Sequence, residues 1–240
     1  MKRYIGYIKG LVLIVLVVLL FGFSSKRNKV KKIEDIKIIF ENGDNLFITY
    51  EMVNKLLIQN YEELQSQPKE NIFLNKLEKT LLSNEMIENA EVFLSIDGQL
   101  GAIITQKTPI ARVNQDEQTY YIDSKGKKMP LSSNYSARVP IVEGITNGHI
   151  SNDTYTLAKI VYEDDFLKKQ IVGIEQTDNH EFILKTRIGN QLIELGDLTN
   201  IDLKIKKLKA FYQKTMEDKT LDKYKIINLV YNEQVVCTKI

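Results

Sequence analysis

Between Gly10 and Phe23 this chain of 240 residues carries no polar side chain, and from Ile5 to Phe23 a single charge, Lys9, interrupts nineteen residues. The apolar core of a bilayer takes about 20 residues of helix, so the segment predicts a transmembrane helix over residues 5–23. A cleaved signal peptide is the competing reading, with Ser24 and Ser25 at the cut. Phe21 and Phe23 stand where an A-x-A-like site needs small residues, and Lys26, Arg27, Lys29, Lys31 and Lys32 follow at once, which favours a retained anchor. No cysteine lies beside the segment for a lipid anchor. Lys2, Arg3 and Lys9 precede it and five basic residues follow it, so charge alone favours the opposite orientation to the one adopted below.

The overall charge of +2 hides an asymmetry: residues 1–32 hold eight Lys/Arg and no acid, leaving 25 basic against 31 acidic side chains in residues 33–240, a net of −6. An acidic globular part argues against nucleic acid as a partner. The basic run of residues 24–32 meets lipid headgroups more simply. With Cys237 alone there is no intramolecular disulfide, and stability rests on the core.

Glu34–Phe40 reads as a first strand and Asn42-Gly43-Asp44 as a turn. Met52, Val53, Leu56 and Leu57 recur at helical spacing from Thr49, and Gln67-Pro68 closes the region. Leu74, Leu77 and Leu81 form the stripe of a second helix capped at Asn71. Val92, Leu94 and Ile96, the turn signal Asp97-Gly98, and Leu100, Ala102 and Ile104 spell a hairpin. Strand, helix, helix, strand, strand in about 75 residues builds a three-stranded sheet with both helices on one face. Beyond it, Ile110–Val113, Thr119–Ile122, Ile171–Glu175, Glu181–Thr186, Gln191–Leu195 and Lys225–Val230 read as strands. Two helices interrupt them. One runs from Asp153 to Glu163 and buries Leu157, Ala158 and Val161. The other, from Asn200 to Glu217, buries Ile201, Ile205, Leu208 and Phe211, with Lys204, Lys206, Lys207 and Lys209 mostly on a solvated face.

Chemistry leaves little trace. The two histidines, His149 and His180, sit in turn-like contexts without a nucleophile motif. One cysteine and two distant histidines give no metal-ligand spacing, and there is no glycine-rich phosphate loop. The acid pairs Glu62-Glu63 and Asp164-Asp165 read as hydrated helix ends. No catalytic, cofactor-binding or metal residue and no small-molecule substrate is expected. What remains is surface. A free sheet edge offers unpaired amides and carbonyls to which a partner can add a strand. Tyr224–Ile240 is the candidate, rich in Ile226, Ile227, Leu229, Val230, Tyr231, Val235 and Val236 with a turn at Asn232-Glu233. Edge strand and central core strand are both open readings here.

In this order the residues resemble the bacterial cell-division family FtsQ, or DivIB. Thr108-Pro109-Ile110-Ala111-Arg112-Val113 is similar to its P-x-A junction, Asp123-Ser124-Lys125-Gly126 to its D-x-x-G turn, Arg138–Gly144 to its P-x-l-x-G step, and Ile227–Tyr231 to its closing strand. The chain departs from the family pattern at Gln106 and Lys107, where an acid is common, and at Asn228 and Val230, which replace Asp and Arg. The resemblance implies an α+β fold: a short cytoplasmic tail (1–4), a single N-terminal transmembrane helix (5–23), a basic linker (24–32), a POTRA domain of β-α-α-β-β order (33–107), and a mostly antiparallel β domain with two flanking helices (108–240). It also implies an N-inside, C-outside topology and a non-enzymatic divisome role at the septum. Partners of FtsB and FtsL type would link it to septal peptidoglycan synthesis, bound at the last-strand edge by Lys225, Ile226, Asn228, Val230, Tyr231, Val235 and Val236. A POTRA-bearing adaptor for secretion or outer-membrane assembly is the alternative.

Overall fold

The computed structural model describes residues 2–30, 36–41, 45–59, 73–95, 99–115, 118–145, 150–231 and 233–240. The turns expected at Asn42-Gly43-Asp44 and Asp97-Gly98, the pair Glu62-Glu63, Gln67-Pro68, the Asn71 cap, His149 and Asn232 lie outside these residues. The chain divides into two compact units, Met1–Gln106 and Lys107–Ile240.

Helix α1 runs from Lys2 to Val30, 29 residues and about 43 Å at the α-helical rise. Its leucines and valines from Leu11 to Leu20, with Phe21 and Phe23, are all at least half exposed. A helix apolar on every side finds its partner in a core or in lipid. Among the described residues no helix is long and apolar enough to cross a membrane; the side chains described without a break, Lys9–Ser25, fall short of the ~20 a span takes.

The remainder of the first unit follows the expected order. Strand β1 (Ile36–Phe40) leads to helix α2 (Tyr50–Ile58), helix α3 (Leu74–Leu82), and strands β2 (Ile87–Leu94) and β3 (Leu100–Gln106). Thr49 Oγ1 caps α2 by accepting from the Met52 amide, which satisfies one of its free donors. Helix α3 begins at Leu74 with Phe73 at its cap position and no side-chain cap. Val53 and Leu57 on α2, with Leu77 and Leu81 on α3, are buried. The strand order is β1-β3-β2, with β1 parallel and β2 antiparallel to β3. Parallel pairing needs a long crossover, supplied by the helical segment. Gln106, at the end of β3, accepts from the amides of Phe47 and Ile48, both at 2.9 Å. That is work a carboxylate also does, and it gives the departure from the family pattern at this position a physical sense.

The second unit holds nine strands: β4 (Pro109–Gln115), β5 (Gln118–Asp123), β6 (Lys128–Met129), β7 (Ile141–Glu143), β8 (Ile171–Gln176), β9 (Phe182–Thr186), β10 (Leu192–Gly196), β11 (Tyr224–Asn228) and β12 (Val236–Lys239). They form one sheet, ordered β12-β11-β10-β9-β8-β7-β4-β5-β6. Most neighbours are antiparallel, as expected, but β4 with β7, β7 with β8 and β10 with β11 are parallel. Helices α4 (Asn152–Glu163), α5 (Asp165–Gln170) and α6 (Ile201–Glu217) accompany the sheet. The register sets Tyr120, Val113, Val142, Ile174, Leu184, Ile193 and Ile227 in one transverse row. All seven are buried in the core with Leu157, Leu208 and Tyr212 from the helices.

Three expectations are corrected here. Asp164 is no idle hydrated acid: its Oδ1 caps the short α5 by accepting from Phe166 and Leu167, both at 3.0 Å, and its Oδ2 pairs with Lys209. Burial works against the charge of Asp164, but the Lys209 ammonium and those two amides outweigh it and hold its pKa below the ordinary value. Lys204 leaves the solvated face and is buried, its ammonium donating to the Asp197 carbonyl at 2.8 Å and carboxylate at 3.0 Å. The buried stripe of α6 is therefore Lys204, Leu208, Tyr212 and Thr215, with Ile201, Ile205 and Phe211 only partly covered.

Candidate functional site: the terminal edge of the second sheet

The family-like motifs resolve into backbone engineering. Asp123, buried at the end of β5, accepts from the amides of Lys125 at 2.9 Å and Lys127 at 2.7 Å. Gly126 closes this turn at φ 77°, a region that costs other residues about 1–2 kcal/mol. The Tyr155 hydroxyl locks the turn by donating to the Ser124 carbonyl at 2.9 Å. Gly144 ends β7 at φ 79° against the backbone of Gln176. Ala111 is fully buried in β4, and the Arg112 amide donates to the Pro140 carbonyl at 2.9 Å.

His180 occupies a turn at φ 60°, its Nδ1 3.0 Å from Gln176 Nε2. Burial raises the pKa of the Cys237 thiol, which favours the neutral, weakly nucleophilic form. Among the described residues no group of three His, Cys, Asp or Glu side chains could hold a metal ion.

The edge is where the sheet stays open. Strand β11 is paired on both sides: Leu192 to Glu194 of β10 run parallel to Ile226 to Asn228, and β12 lies antiparallel on the other flank with Asn228 opposite Val236 and Ile226 opposite Thr238. Lys225, Ile226 and Asn228 are therefore not on a free edge; the following nine residues fold back and cover them. The outer strand is β12, with no neighbour on its other side among the described residues. Val236, Thr238 and Lys239 on it are exposed and Cys237 is half-buried. The opposite margin, β6, is only two residues long, too short to template another strand.

Of the expected residues, Val236 alone belongs to the edge strand. Val235 packs against the core, while Val230 and Tyr231 are about half exposed at the corner between β11 and β12. The Val230 amide donates to Asn228 Oδ1 at 2.9 Å, and Lys207 Nζ donates to the Tyr231 carbonyl at 2.6 Å, so this corner is held by the body of the unit. Reading Tyr224–Ile240 as one extended stretch concealed the reversal; the alternation of Val236-Cys237-Thr238-Lys239 was its available signal.

Residues 108–238 match the family model described as FtsQ/DivIB, C-terminal related, and residues 31–105 match that of a POTRA-like domain. Among curated proteins none matches the sequence. The two matches follow the same division of the chain as the two compact units, and the chain belongs to the FtsQ/DivIB family, a generally non-enzymatic family of division-site membrane proteins.

Proposed function

We propose that the protein is a single-pass scaffold of the cell-division machinery in the cytoplasmic membrane. Its N-terminus lies inside and its two globular units outside, where it holds FtsB/FtsL-type partners beside septal peptidoglycan synthesis. The apolar helix α1 supports the anchor, because a stretch of Val, Ile and Leu exposed on all sides is unfavourable in water and suited to lipid. The basic residues of 24–32 would then rest on lipid headgroups. The observation that carries the binding role is the open β12 edge. A partner strand adds to Val236–Lys239 through backbone hydrogen bonds, with Val230, Tyr231 and Val236 supplying apolar contact next to it. Lys225, Ile226, Asn228 and Val235 act from behind the edge by holding β12 and the corner in place.

The test uses the alternation of strand amides. Successive residues aim their N–H groups to opposite flanks, so proline at Cys237 and, separately, at Thr238 removes one amide facing β11 and one facing the free side. Partner co-purification should fail for the free-side variant while its thermal unfolding stays within a few degrees of the parent. Full co-purification with both well-folded variants would sink edge pairing. In cells, an N-terminal fluorescent fusion should form midcell bands and depletion should give filaments. An even envelope signal with normal division would instead favour an assembly adaptor.

A further inference from the structure

The face of the second sheet turned away from its helices carries a transverse row made by register: Glu143, Glu175, Ile183, Glu194, Asn228 and Val236. Three of the six are carboxylates and none is basic. Lys185, from the adjoining row, neutralises one end by pairing with Glu143 at 2.7 Å and Glu175 at 3.0 Å. Glu194 is served differently. Its carboxylate accepts from Asn228 Nδ2, a neutral donor, and Asn228 is itself oriented by the Val230 amide.

Beside Glu194 the face opens into a cleft of about 400 Å³, bounded by Glu181 and Ile183 on one side and by Val230 and Tyr231 on the other. The nearest lysines are already engaged, Lys204 on Asp197 and Lys207 on the Tyr231 carbonyl. The cleft thus has two carboxylates, apolar walls, an aromatic ring and no cation in its lining. That combination is complementary to a long basic side chain, whose aliphatic stem can lie on Ile183 and Val230 while its charge meets the acids. A planar guanidinium fits better than an ammonium, because it can fork onto a carboxylate and stack on a tyrosine ring.

We propose that this cleft seats an arginine side chain of a partner polypeptide, with Glu194 as its principal acceptor and Glu181 in support. The inference deepens the scaffold reading and rests on it only in taking the partner to be a polypeptide. Asn228 lies opposite Val236, so the cleft is one strand in from the edge where that partner would pair.

The test titrates the full-length protein in lipid nanodiscs with three fluorescent peptides, acetyl-Val-Thr-X-Val-Thr, in which X is arginine, citrulline or glutamate. Citrulline keeps the shape and removes the charge. The arginine peptide should bind about tenfold more tightly than the citrulline one, and the glutamate peptide more weakly than both. In Glu194→Gln, which keeps an acceptor for Asn228, the preference should shrink to about twofold, and Glu181→Gln should reduce it less. Equal binding of arginine and citrulline peptides, an unchanged preference in Glu194→Gln, or no binding of the arginine peptide at millimolar concentration would each overturn the proposal. The scaffold reading is tested in cells by midcell recruitment, so either can fail while the other stands.

Discussion

Replacing Gly144 by alanine tests the claim that the motif around Arg138–Gly144 specifies backbone geometry. A Cβ built at Gly144 lies 3.0 Å from the carbonyl carbon of Gln176 and 3.2 Å from its nitrogen, and closer still to the carbonyl oxygen. All are backbone atoms of β8, so no rotamer change can relieve the overlap, and the β7–β8 pairing itself must yield. The positive φ of 79° adds about 1.5 kcal/mol for a residue with a Cβ, and forcing packed backbone apart adds about 2 kcal/mol. The narrower unfolded ensemble of alanine returns about 0.7 kcal/mol, leaving a loss of about 3 kcal/mol. For a unit the size of Lys107–Ile240 that lowers the transition by about 12 °C.

Gly126→Ala is the internal control. It has nearly the same φ, but its Cβ would meet only the edge of the Tyr155 ring, at 3.3 Å, and its expected cost is about 1 kcal/mol. Differential scanning calorimetry of the full chain in detergent measures both. Equal losses at the two glycines, or a loss below about 1 kcal/mol at Gly144, would refute the steric account.

Gln106→Ala removes the acceptor shared by the Phe47 and Ile48 amides and should destabilise the first unit by about 2 kcal/mol, while Gln106→Glu should hold parental stability. Chemical denaturation of the three proteins reads this directly, and a neutral alanine variant would contradict the tether. Asp164→Asn keeps the α5 cap but loses the charge that meets Lys209. The folded pKa of Asp164 is depressed, so its charge stabilises the protein above its ordinary value near 3.8 and ceases to do so as pH falls through the lower folded value. The variant should therefore be less stable by under about 1 kcal/mol at pH 7 and converge with the parent at the acid end of a pH series; a gap independent of pH would exclude the ion pair as its cause.

The order of elements in both units was legible in the sequence because each helix and most strands announce themselves within their own length. Val53 with Leu57 and Leu77 with Leu81 are i, i+4 pairs that end up buried as their spacing implies. The elements that escaped are short or set by distant neighbours. Ile141–Glu143 spans three residues, too few for a period, yet it sits between β4 and β8 and is parallel to both. Lys204 looks like one lysine among four, and only the loop that brings Asp197 over it makes burial tolerable. The same limit applied to the site. Apolar content singled out Tyr224–Ile240, but whether β11 or β12 is outermost depends on a chain reversal. The Glu194 cleft depends on register across three strands, which no local pattern encodes.

This division between local and non-local signals bears on what family resemblance can carry. Asp123, Gly126 and Gly144 shape turns and Ala111 fills the core, so matching them identifies the fold whatever partner is bound. Asn228 and Val230, the positions at which this chain departs from the family's closing strand, lie beside the cleft on the open face. There Asn228 hydrogen-bonds Glu194 and orients it, whereas an aspartate would set a second negative charge against that carboxylate. An arginine at 230 would bring a cation into the lining, where it could neutralise Glu194 from within the chain. With asparagine and valine the acidic group is left for an outside partner. The departures from the family pattern thus fall where partner selection would be written, and the shared residues fall where the backbone leaves no choice.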